Sequence, residues 1–211
     1  ELGGADVIRN EITAQATAAI LIDPEVDTIF EIGGQDSKYI SLDGGTVREF
    51  EMNRACAAGT GSFLEEQAER LGVDLKTEFS PMALDADNPV ELGDRCTVFM
   101  ESDLIHHQQS GASTPDLLAG LGYSIVHNYL NRVVGERRVG ERIFFQGGTA
   151  FNKAVVAAFN QVTGKTVVVP PHHEVTGAIG AALLAKRHAQ EAIAAGEDYQ
   201  SRFRGWEISE D

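Results

Sequence analysis

Three glycine-bearing turns stand where the apolar runs of this chain end or where its helices begin. They are Gly33-Gly34-Gln35-Asp36-Ser37, Gly59-Thr60-Gly61 and Gly147-Gly148-Thr149. Glycine lets backbone N–H groups approach a phosphate or a ribose without an intervening Cβ, and helix N-termini favour anions. None of the turns has Walker A spacing or the Rossmann fingerprint. Each could be a simple tight turn, but three turns that can converge on one sheet edge favour a site for an anionic ligand.

Short apolar segments bounded by glycine, proline or aspartate predict the strands of a sheet. Segment 28–32 is typical of a buried strand and ends at Gly33. Segments 38–42 and 47–52 flank Asp43-Gly44-Gly45, a hairpin signal. Two later strands are predicted at 142–145 and 166–169. The sheet therefore begins with three consecutive strands and is completed by two later ones.

Apolar residues at helical spacing predict helices before, between and after these strands. They are expected over 5–20, from 62 to near Gly72, from Pro115 to about 134, around Phe151, Val155 and Phe159, and over 175–187. The pair Ser62 and Glu65 has the pattern of a capping box. Ser80-Pro81 and Thr114-Pro115 each place a capping residue before a proline. The element order predicts an α/β fold, a mixed sheet with helices on both faces.

The charge balance excludes several classes of partner. The chain has 211 residues with 32 acidic and 17 basic side chains, a formal net charge of −15. Such a surface repels phosphate backbones and anionic lipid, so we expect neither nucleic acid nor a membrane as partner. The opening residues have no positive region and no apolar block, so no signal peptide is expected. Two cysteines do not form a disulfide framework, which favours the cytoplasm.

The two cysteines stand in similar surroundings. Cys56 and Cys96 each precede a predicted helix and have an arginine close by in the sequence. Both features lower a thiol pKa and favour the thiolate that binds metal. Two thiolates cannot complete a four-cysteine site, but a symmetric dimer would supply four. Spacing alone favours the alternative that they are buried apolar thiols. The histidine doublets 106–107 and 172–173 are interpreted as ordinary surface or loop residues.

Five segments, in order along the chain, resemble the motifs of one family. The segment 56–61, Cys-Ala-Ala-Gly-Thr-Gly, is the most specific of them. The five segments are 31–38, 53–64, 96–102, 145–153 and 176–182. Together they resemble the BadF/BadG/BcrA/BcrD ATPases, and within them the activators of 2-hydroxyacyl-CoA dehydratases and the related benzoyl-CoA reductase ATPase subunits.

The resemblance implies a fold and an activity. The fold is that of the acetate and sugar kinase, Hsp70 and actin superfamily, whose two RNase-H-like lobes hold nucleotide between them. The activators are homodimers with one [4Fe–4S] cluster between the subunits. ATP hydrolysis, with Mg²⁺, drives a low-potential electron onto a dehydratase or reductase partner, and a ferredoxin or flavodoxin is the expected donor to the cluster.

The resemblance also implies site residues, although it assigns no catalytic residue. Cys56 and Cys96 would be the cluster ligands. The remaining residues fall into three groups. The residues that face the phosphates would be Gly33, Gly34, Gln35 and Ser37. The residues that line the nucleotide cleft would be Gly59, Thr60 and Gly61. The residues that hold the adenosine would be Gly147, Gly148 and Asn152.

The sequence departs from the family pattern in three respects. The first phosphate loop and nearly all of an N-terminal lobe are absent. We therefore expect residues 1–22 to be a connecting segment, 23–188 an RNase-H-like ATPase lobe and 189–211 a polar extension, together a C-terminal lobe of a larger chain that is inactive alone. Glu31 stands where aspartate is expected, and Gln15 where histidine is expected.

Two other functions remain open at this stage. A sugar kinase of the same superfamily, acting on N-acetylhexosamines, would need a catalytic base and a sugar pocket but no paired cysteines. A non-catalytic dimerisation or scaffold lobe of a tandem activator would tolerate the changes at Glu31 and Gln15. Iron content distinguishes the first alternative, and ATP affinity distinguishes the second.

Overall fold

The computed structural model describes residues 4–53, 60–93 and 97–203. Within these ranges the chain forms one five-stranded mixed sheet with the spatial order β3-β2-β1-β4-β5. Strands β1, β2 and β3 are antiparallel neighbours, whereas β4 and β5 continue the sheet parallel to β1. The predicted mixed sheet is confirmed. The strands are β1 Thr28–Ile32, β2 Ser37–Asp43, β3 Thr46–Met52, β4 Ile143–Gln146 and β5 Val167–Val168.

Helices cover both faces of the sheet. One precedes β1, four lie between β3 and β4, and one follows each of β4 and β5. They are α1 Glu11–Ile22, α2 Gly61–Arg70, α3 Phe79–Leu84, α4 Thr97–Gln109, α5 Thr114–Tyr129, α6 Lys153–Thr163 and α7 Thr176–Ala194. Helix α5 continues as a π-helical turn over Leu130–Val134, so the helical segment ends near residue 134, where the sequence predicts its end. Within the described ranges, none of the helices combines the length and apolar character needed to cross a membrane.

The hydrophobic core has two parts, one on each face of the sheet. On the larger side the ring of Phe159 lies 5.2 Å from that of Phe30, 4.9 Å from Phe145 and 5.6 Å from Tyr129, measured between centroids. Such edge and stacked contacts add to the burial of apolar area. On the other side α1 packs on the sheet. This smaller cluster contains Ile12, Ala16, Ala19, Val26, Ile29, Ile40, Leu42 and Phe144.

Helix α7 packs against α1 on the outside of the smaller cluster. At the crossing the two backbones touch, because a Cβ on Gly180 would lie 1.8 Å from the carbonyl oxygen of Ala14. The Gly- and Ala-rich start of α7 allows this close approach. The α1–α7 pair forms a layer of its own, and the sheet lies between it and the helices α2 to α6.

Two predicted helix boundaries are wrong. Helix α1 begins at Glu11 and not at residue 5, because the side chain of Asn10 accepts a hydrogen bond from the N–H of Thr13 (2.8 Å) and caps it there. Helix α7 continues to Ala194, past the predicted end at 187. Beyond residue 187 the helix is mostly exposed and its apolar residues are chiefly alanine, so the apolar spacing used to predict its end stops before the helix does.

The predicted caps and one predicted helical residue are also corrected. Ser62 does not form a capping box with Glu65, because its N–H donates to the carbonyl of Gly34 (2.7 Å) and its hydroxyl donates to the same oxygen. Ser80 lies inside α3, whose N-cap is Glu78. Ser113, one residue before the predicted Thr114, caps α5. Phe151 lies in a 3₁₀ turn over Gly148–Phe151, ahead of α6.

Candidate nucleotide site

Two glycine loops meet at one edge of the sheet. Strands β1 and β4 are parallel neighbours with Glu31 opposite Gln146, so the loops that follow them start side by side. The N-terminus of α2 reaches the same place. A cleft of about 550 Å³ opens there, and its lining includes Gly33, Gly34, Gly61, Ser62, Gly148 and Thr149. Apolar side chains (Leu64, Leu75 and Phe151) and charged ones (Glu65 and Lys76) also line it. A wall that combines glycine backbone with apolar side chains suits a ligand with an anionic and an aromatic part.

The glycines of these loops serve two purposes. A Cβ on Gly61 would lie 2.9 Å from Thr149 Oγ1 and 3.0 Å from the carbonyl oxygen of Gly33. Gly147 has a φ of +90°, and its Cβ would lie 2.3 Å from the carbonyl oxygen of Ile32. These two positions must therefore be glycine for the loops to pack. At Gly148 a Cβ would meet nothing within 4 Å, so this residue faces open space in the cleft.

Backbone hydrogen bonds join α2 to the loop after β1. The N–H of Gly33 donates to the carbonyl of Asp36 (2.9 Å), which closes the loop on itself. The N–H of Gly61 donates to the carbonyl of Gly33 (2.9 Å), and the N–H of Ser62 donates to the carbonyl of Gly34 (2.7 Å). Two of the N–H groups that usually remain unpaired at a helix N-terminus are thus already satisfied. Helix α2 therefore braces the loop with these two amides and does not offer them to a ligand.

The structure brings five of the predicted nucleotide-site residues together in the cleft. They are Gly33, Gly34, Gly61, Gly148 and Asn152. Gly147 packs behind the loop against Ile32. Gln35 is exposed on the loop, whereas Ser37 and Thr60 are buried. Gly59, Cys56 and Cys96 lie outside the described residues.

Asn152 presents one half of its amide without a partner. Its Oδ1 accepts hydrogen bonds from the N–H groups of Ala154 (3.0 Å) and Val155 (3.2 Å) and thereby caps α6. The hydroxyl of Ser80 donates to the same oxygen (3.0 Å). These three donors fix the orientation of the amide. The buried Nδ2 has no hydrogen-bond partner among the described residues, so this edge of the cleft retains an unpaired donor.

His173 and Phe151 belong to the site although the sequence pattern did not predict a role for either. The residue His173 is 8% exposed, and its Nδ1 donates to the carbonyl of Gly147 (2.9 Å). The N–H of Gly147 donates back to the carbonyl of His173 (2.8 Å). His173 therefore lies in a loop, as one of the two interpretations holds, but it is buried and it holds the glycine loop. The largely exposed ring of Phe151 packs edge-on against His173, with centroids 4.3 Å apart.

A cluster of four charged side chains lies beside the loop after β1; Lys38 and Glu31 are buried in it, whereas Asp36 and Glu11 are about half exposed. The ammonium of Lys38 contacts Asp36 Oδ2 at 2.8 Å, and Glu31 Oε2 and Glu11 Oε1 each at 3.0 Å. Burial raises the pKa of the Glu31 carboxyl to about 7. The nearby Lys38 acts in the opposite direction and lowers it, whereas the carboxylates of Asp36 and Glu11 add to the rise. Burial alone would lower the pKa of Lys38, but the three carboxylates more than offset this and raise it, so the amine stays charged.

Gln15, the second departure from the family pattern, is fully accommodated. The hydroxyl of Thr176 donates to Gln15 Oε1 (2.5 Å), which links α1 to the first residue of α7. A Cβ on Gly177 would lie 3.3 Å from Gln15 Nε2. The glutamine therefore contributes to the contact between the two helices.

The described residues contain no metal centre of their own. Among them, no three His, Cys, Asp or Glu side chains lie where they could share a metal ion. The two cysteines predicted as cluster ligands fall outside these ranges, so the prediction that they bind a cluster stays a prediction.

The sheet order and the two glycine loops at its edge define an α/β lobe of the kind found in the acetate and sugar kinase, Hsp70 and actin superfamily. The chain belongs to the BadF/BadG/BcrA/BcrD ATPase family, whose sequence profile matches residues 3–185. It is 36% identical over 191 residues to the 2-hydroxyisocaproyl-CoA dehydratase activator of Clostridioides difficile, covering 89% of this chain and 70% of that protein.

Two further similarities agree with this. The (R)-2-hydroxyglutaryl-CoA dehydratase activating ATPase of Acidaminococcus fermentans is 36% identical over 190 residues, which cover 89% of this chain and 71% of that protein. The solved structure of the activator of the 2-hydroxyisocaproyl-CoA dehydratase from Clostridium difficile with bound ADPNP superposes with a TM-score of 0.80 at 34% identity, covering 90% of this chain and 70% of that one.

Proposed function

We propose that this chain is the nucleotide-binding and cluster-carrying lobe of an ATP-dependent activator. The activator passes a low-potential electron to a 2-hydroxyacyl-CoA dehydratase or to a partner that resembles benzoyl-CoA reductase. The observation that carries the proposal is the cleft between the loops at Gly33 and Gly148, in a chain whose relatives are named as activators of such dehydratases. In this assignment residues 1–22 connect to a further lobe, 23–188 form the ATPase lobe and 189–211 extend from it, although α1 packs on the sheet and the last turn of α7 lies within the extension.

The geometry suits ATP or ADP with Mg²⁺. The phosphates would lie against the backbone of Gly33 and Gly34, where no side chain intervenes, and against Gly148 on the opposite loop. The sugar and base would extend toward Asn152, whose unpaired Nδ2 can donate to an acceptor, and toward the exposed ring of Phe151. Gln35, which is exposed on the loop, would close over the phosphates, whereas the buried Ser37 and Thr60 would support the loop from behind.

The donor set of the chain suits a cluster shared between two copies. Cys56 and Cys96 are its two cysteines, and a four-thiolate set therefore needs a homodimer. When bound, a [4Fe–4S] cluster would supply the one-electron chemistry, and a ferredoxin or flavodoxin would reduce it. A reducing compartment such as the cytoplasm would keep both thiols available as ligands.

Titration with ADP tests the nucleotide site. We expect ADP to bind the chain with release of heat, and we expect Gly148→Leu to weaken its affinity by more than about tenfold, because the new side chain would fill part of the cleft. The thermal midpoint should change little, since the side chain starts from a Cβ that meets nothing within 4 Å and continues into the cleft. Isothermal calorimetry and thermal unfolding measure the two effects.

Gly122→Ala provides the matched control for this substitution. Gly122 lies in α5, and its Cβ would meet nothing closer than 4.0 Å. This variant should bind ADP as the unaltered chain does. Equal affinity in all three proteins would contradict the placement of nucleotide in this cleft.

A further inference from the structure

Phe151 is an apolar side chain that remains largely exposed in the cleft. It is 66% exposed, although it lines the cleft together with the apolar Leu64 and Leu75. A single exposed apolar residue is common on a convex protein surface and has no special meaning there. In a concave site with other apolar side chains, by contrast, such a residue is covered when a ligand binds. The uncovered ring therefore marks the place where the apolar part of a ligand would lie.

The local backbone places Phe151 on the same side as the open face of Gly148. Residues Gly148–Phe151 form a 3₁₀ turn, in which the side chains at positions i and i+3 eclipse each other. The two residues are separated by about 6 Å along the turn, at a rise of about 2 Å per residue. A Cβ on Gly148 would meet nothing within 4 Å. The phenyl ring and the glycine backbone thus border the same open space, so one ligand can contact both.

His173 holds both the glycine loop and the phenyl ring. Its Nδ1 donates to the carbonyl of Gly147 (2.9 Å), and its own carbonyl accepts from the N–H of Gly147 (2.8 Å). The rings of His173 and Phe151 are 4.3 Å apart between centroids, and their planes are inclined by 66°. Edge contacts of this kind are favourable and orient the two rings relative to each other. Because His173 is buried and fixed by two hydrogen bonds, it restricts the positions that the exposed phenyl ring can take.

Asn152, the next residue along the chain, offers a hydrogen-bond donor at the same cleft. Its Oδ1 is occupied by three donors, and its buried Nδ2 has no partner among the described residues. A buried donor without a partner is costly unless a ligand supplies an acceptor. Purine and pyrimidine rings both carry acceptor atoms, so this donor favours a base without distinguishing the two classes. That distinction depends on the area of the ring that can stack.

We propose that Phe151 selects a purine base in the cleft and that His173 is the positioning residue that holds its ring in place. The inference rests on the proposed function, since it takes the ligand of the cleft to be a nucleotide. A two-ring purine covers more of an exposed phenyl ring than a one-ring pyrimidine does, and it therefore gains more from stacking. The contact with His173 reduces the freedom that the phenyl ring would otherwise lose on binding.

Titration with ADP and with CDP tests the role of Phe151, because the two ligands share the ribose and the diphosphate. We expect the unaltered chain to bind ADP at least about fivefold more tightly than CDP. Phe151→Ala should weaken ADP binding by about tenfold, as expected when a base loses its aromatic partner, and should weaken CDP binding less. Phe151→Tyr keeps an aromatic ring and should bind both ligands as the unaltered chain does. Isothermal calorimetry measures the affinities.

His173→Asn tests the positioning role, because the Nδ2 of asparagine stands in the place of the histidine Nδ1. This variant keeps a donor for the carbonyl of Gly147 but lacks the ring that contacts Phe151. We expect the preference for ADP over CDP to fall by roughly threefold, in line with the loss of one contact between aromatic rings. A merely structural role of His173 would instead weaken the binding of both ligands equally.

Phe50→Ala is the matched control for the loss of an exposed phenyl ring. Phe50 lies in β3 and is 51% exposed, but it does not belong to the lining of the cleft. Its replacement should change neither the ADP affinity nor the CDP affinity.

The two ligands also distinguish failure of this inference from failure of the proposed function. Absence of ADP binding to the unaltered chain would overturn the proposed function and this inference with it. Equal binding of ADP and CDP to the unaltered chain, or normal ADP binding in Phe151→Ala, would overturn the role of Phe151 alone. An equal loss for both ligands in Phe151→Ala would do the same. An unchanged preference in His173→Asn would overturn the role of His173.

Discussion

Glu31 is the residue whose chemistry is most altered by its surroundings. Its carboxylate is buried beside the loop after β1 and shares the ammonium of Lys38 with Asp36 and Glu11. One cation facing three carboxylates leaves an excess of negative charge in a poorly solvated place, which favours a proton on the most buried carboxyl. The lysine therefore links the loop to β1 and to the first residue of α1. The excess negative charge favours the protonated form of Glu31.

The raised pKa of Glu31 predicts a pH-dependent stability. The carboxyl titrates at about 7 in the folded chain and near the ordinary value of 4.5 when unfolded. Below 4.5 both states are protonated; as the pH rises toward 7 the unfolded state loses its proton first, so the free energy of unfolding falls. The loss amounts to about 3 kcal/mol at most. Glu31→Gln should lack this loss. Its free energy of unfolding should therefore rise relative to that of the unaltered chain as the pH is raised from 5 to 8.

Urea unfolding at a series of pH values measures the difference between the two proteins. Glu25→Gln, at an exposed position before β1, is the control and should follow the unaltered chain. Parallel stability profiles for Glu31→Gln and the unaltered chain would show that Glu31 titrates normally.

Among the elements, the crossing of α1 and α7 has the least room for change. The Cβ of an alanine at position 180 would lie 1.8 Å from the carbonyl oxygen of Ala14 and 2.8 Å from its Cα, so one helix backbone must move. Overpacking of this kind costs about 1–3 kcal/mol or more. Gly180→Ala should therefore lower the free energy of unfolding by at least about 2 kcal/mol, as measured by urea unfolding.

Gly122→Ala makes the same chemical change within a helix but in ordinary space. It should be neutral or stabilising by up to about 1 kcal/mol, since alanine is the better helix former. If both variants were equally stable, the close contact between α1 and α7 would be wrong.

The strands could be predicted from the sequence more reliably than the helix ends. Apolar runs that stop at Gly33 and at Gly147 mark β1 and β4 to within a residue, because glycine both ends the strand and opens the loop. The start of α1 is set by the side-chain cap at Asn10 and not by the apolar residues that precede it. The hydroxyl of Ser62 had two possible partners, and only the folded chain places Gly34 within its reach.

The residues of the candidate site also differ in how well the sequence predicts them. Its glycines could be predicted, since each follows a strand or opens a helix. The roles of His173 and Phe151 could not, because His173 meets Gly147 from 26 positions along the chain and through its backbone as well as its ring. Glu31 and Lys38 lie opposite each other only once the register between β1 and β2 is fixed.

In the molecule as a whole, the sheet separates two layers with different roles. The helices α2 to α6 enclose the larger core, and the N-termini of α2 and α6 lie at the cleft. The pair α1 and α7 covers the other face. The ammonium of Lys38 links Glu11 of α1 to Asp36 in the loop after β1, and Gln15 links α1 to the start of α7. The cleft itself is lined by the loops after β1 and β4 and by residues of the α2 to α6 side.

The most direct test of the proposed activator is the iron and acid-labile sulfide content of the chain, purified and reconstituted without oxygen. One [4Fe–4S] cluster held by Cys56 and Cys96 of two chains predicts about two iron and two sulfide ions per chain. Cys56→Ser and Cys96→Ser should each abolish that content. A chain that binds ADP normally but takes up no iron would contradict the electron-transfer function and would favour a sugar kinase or a scaffold lobe.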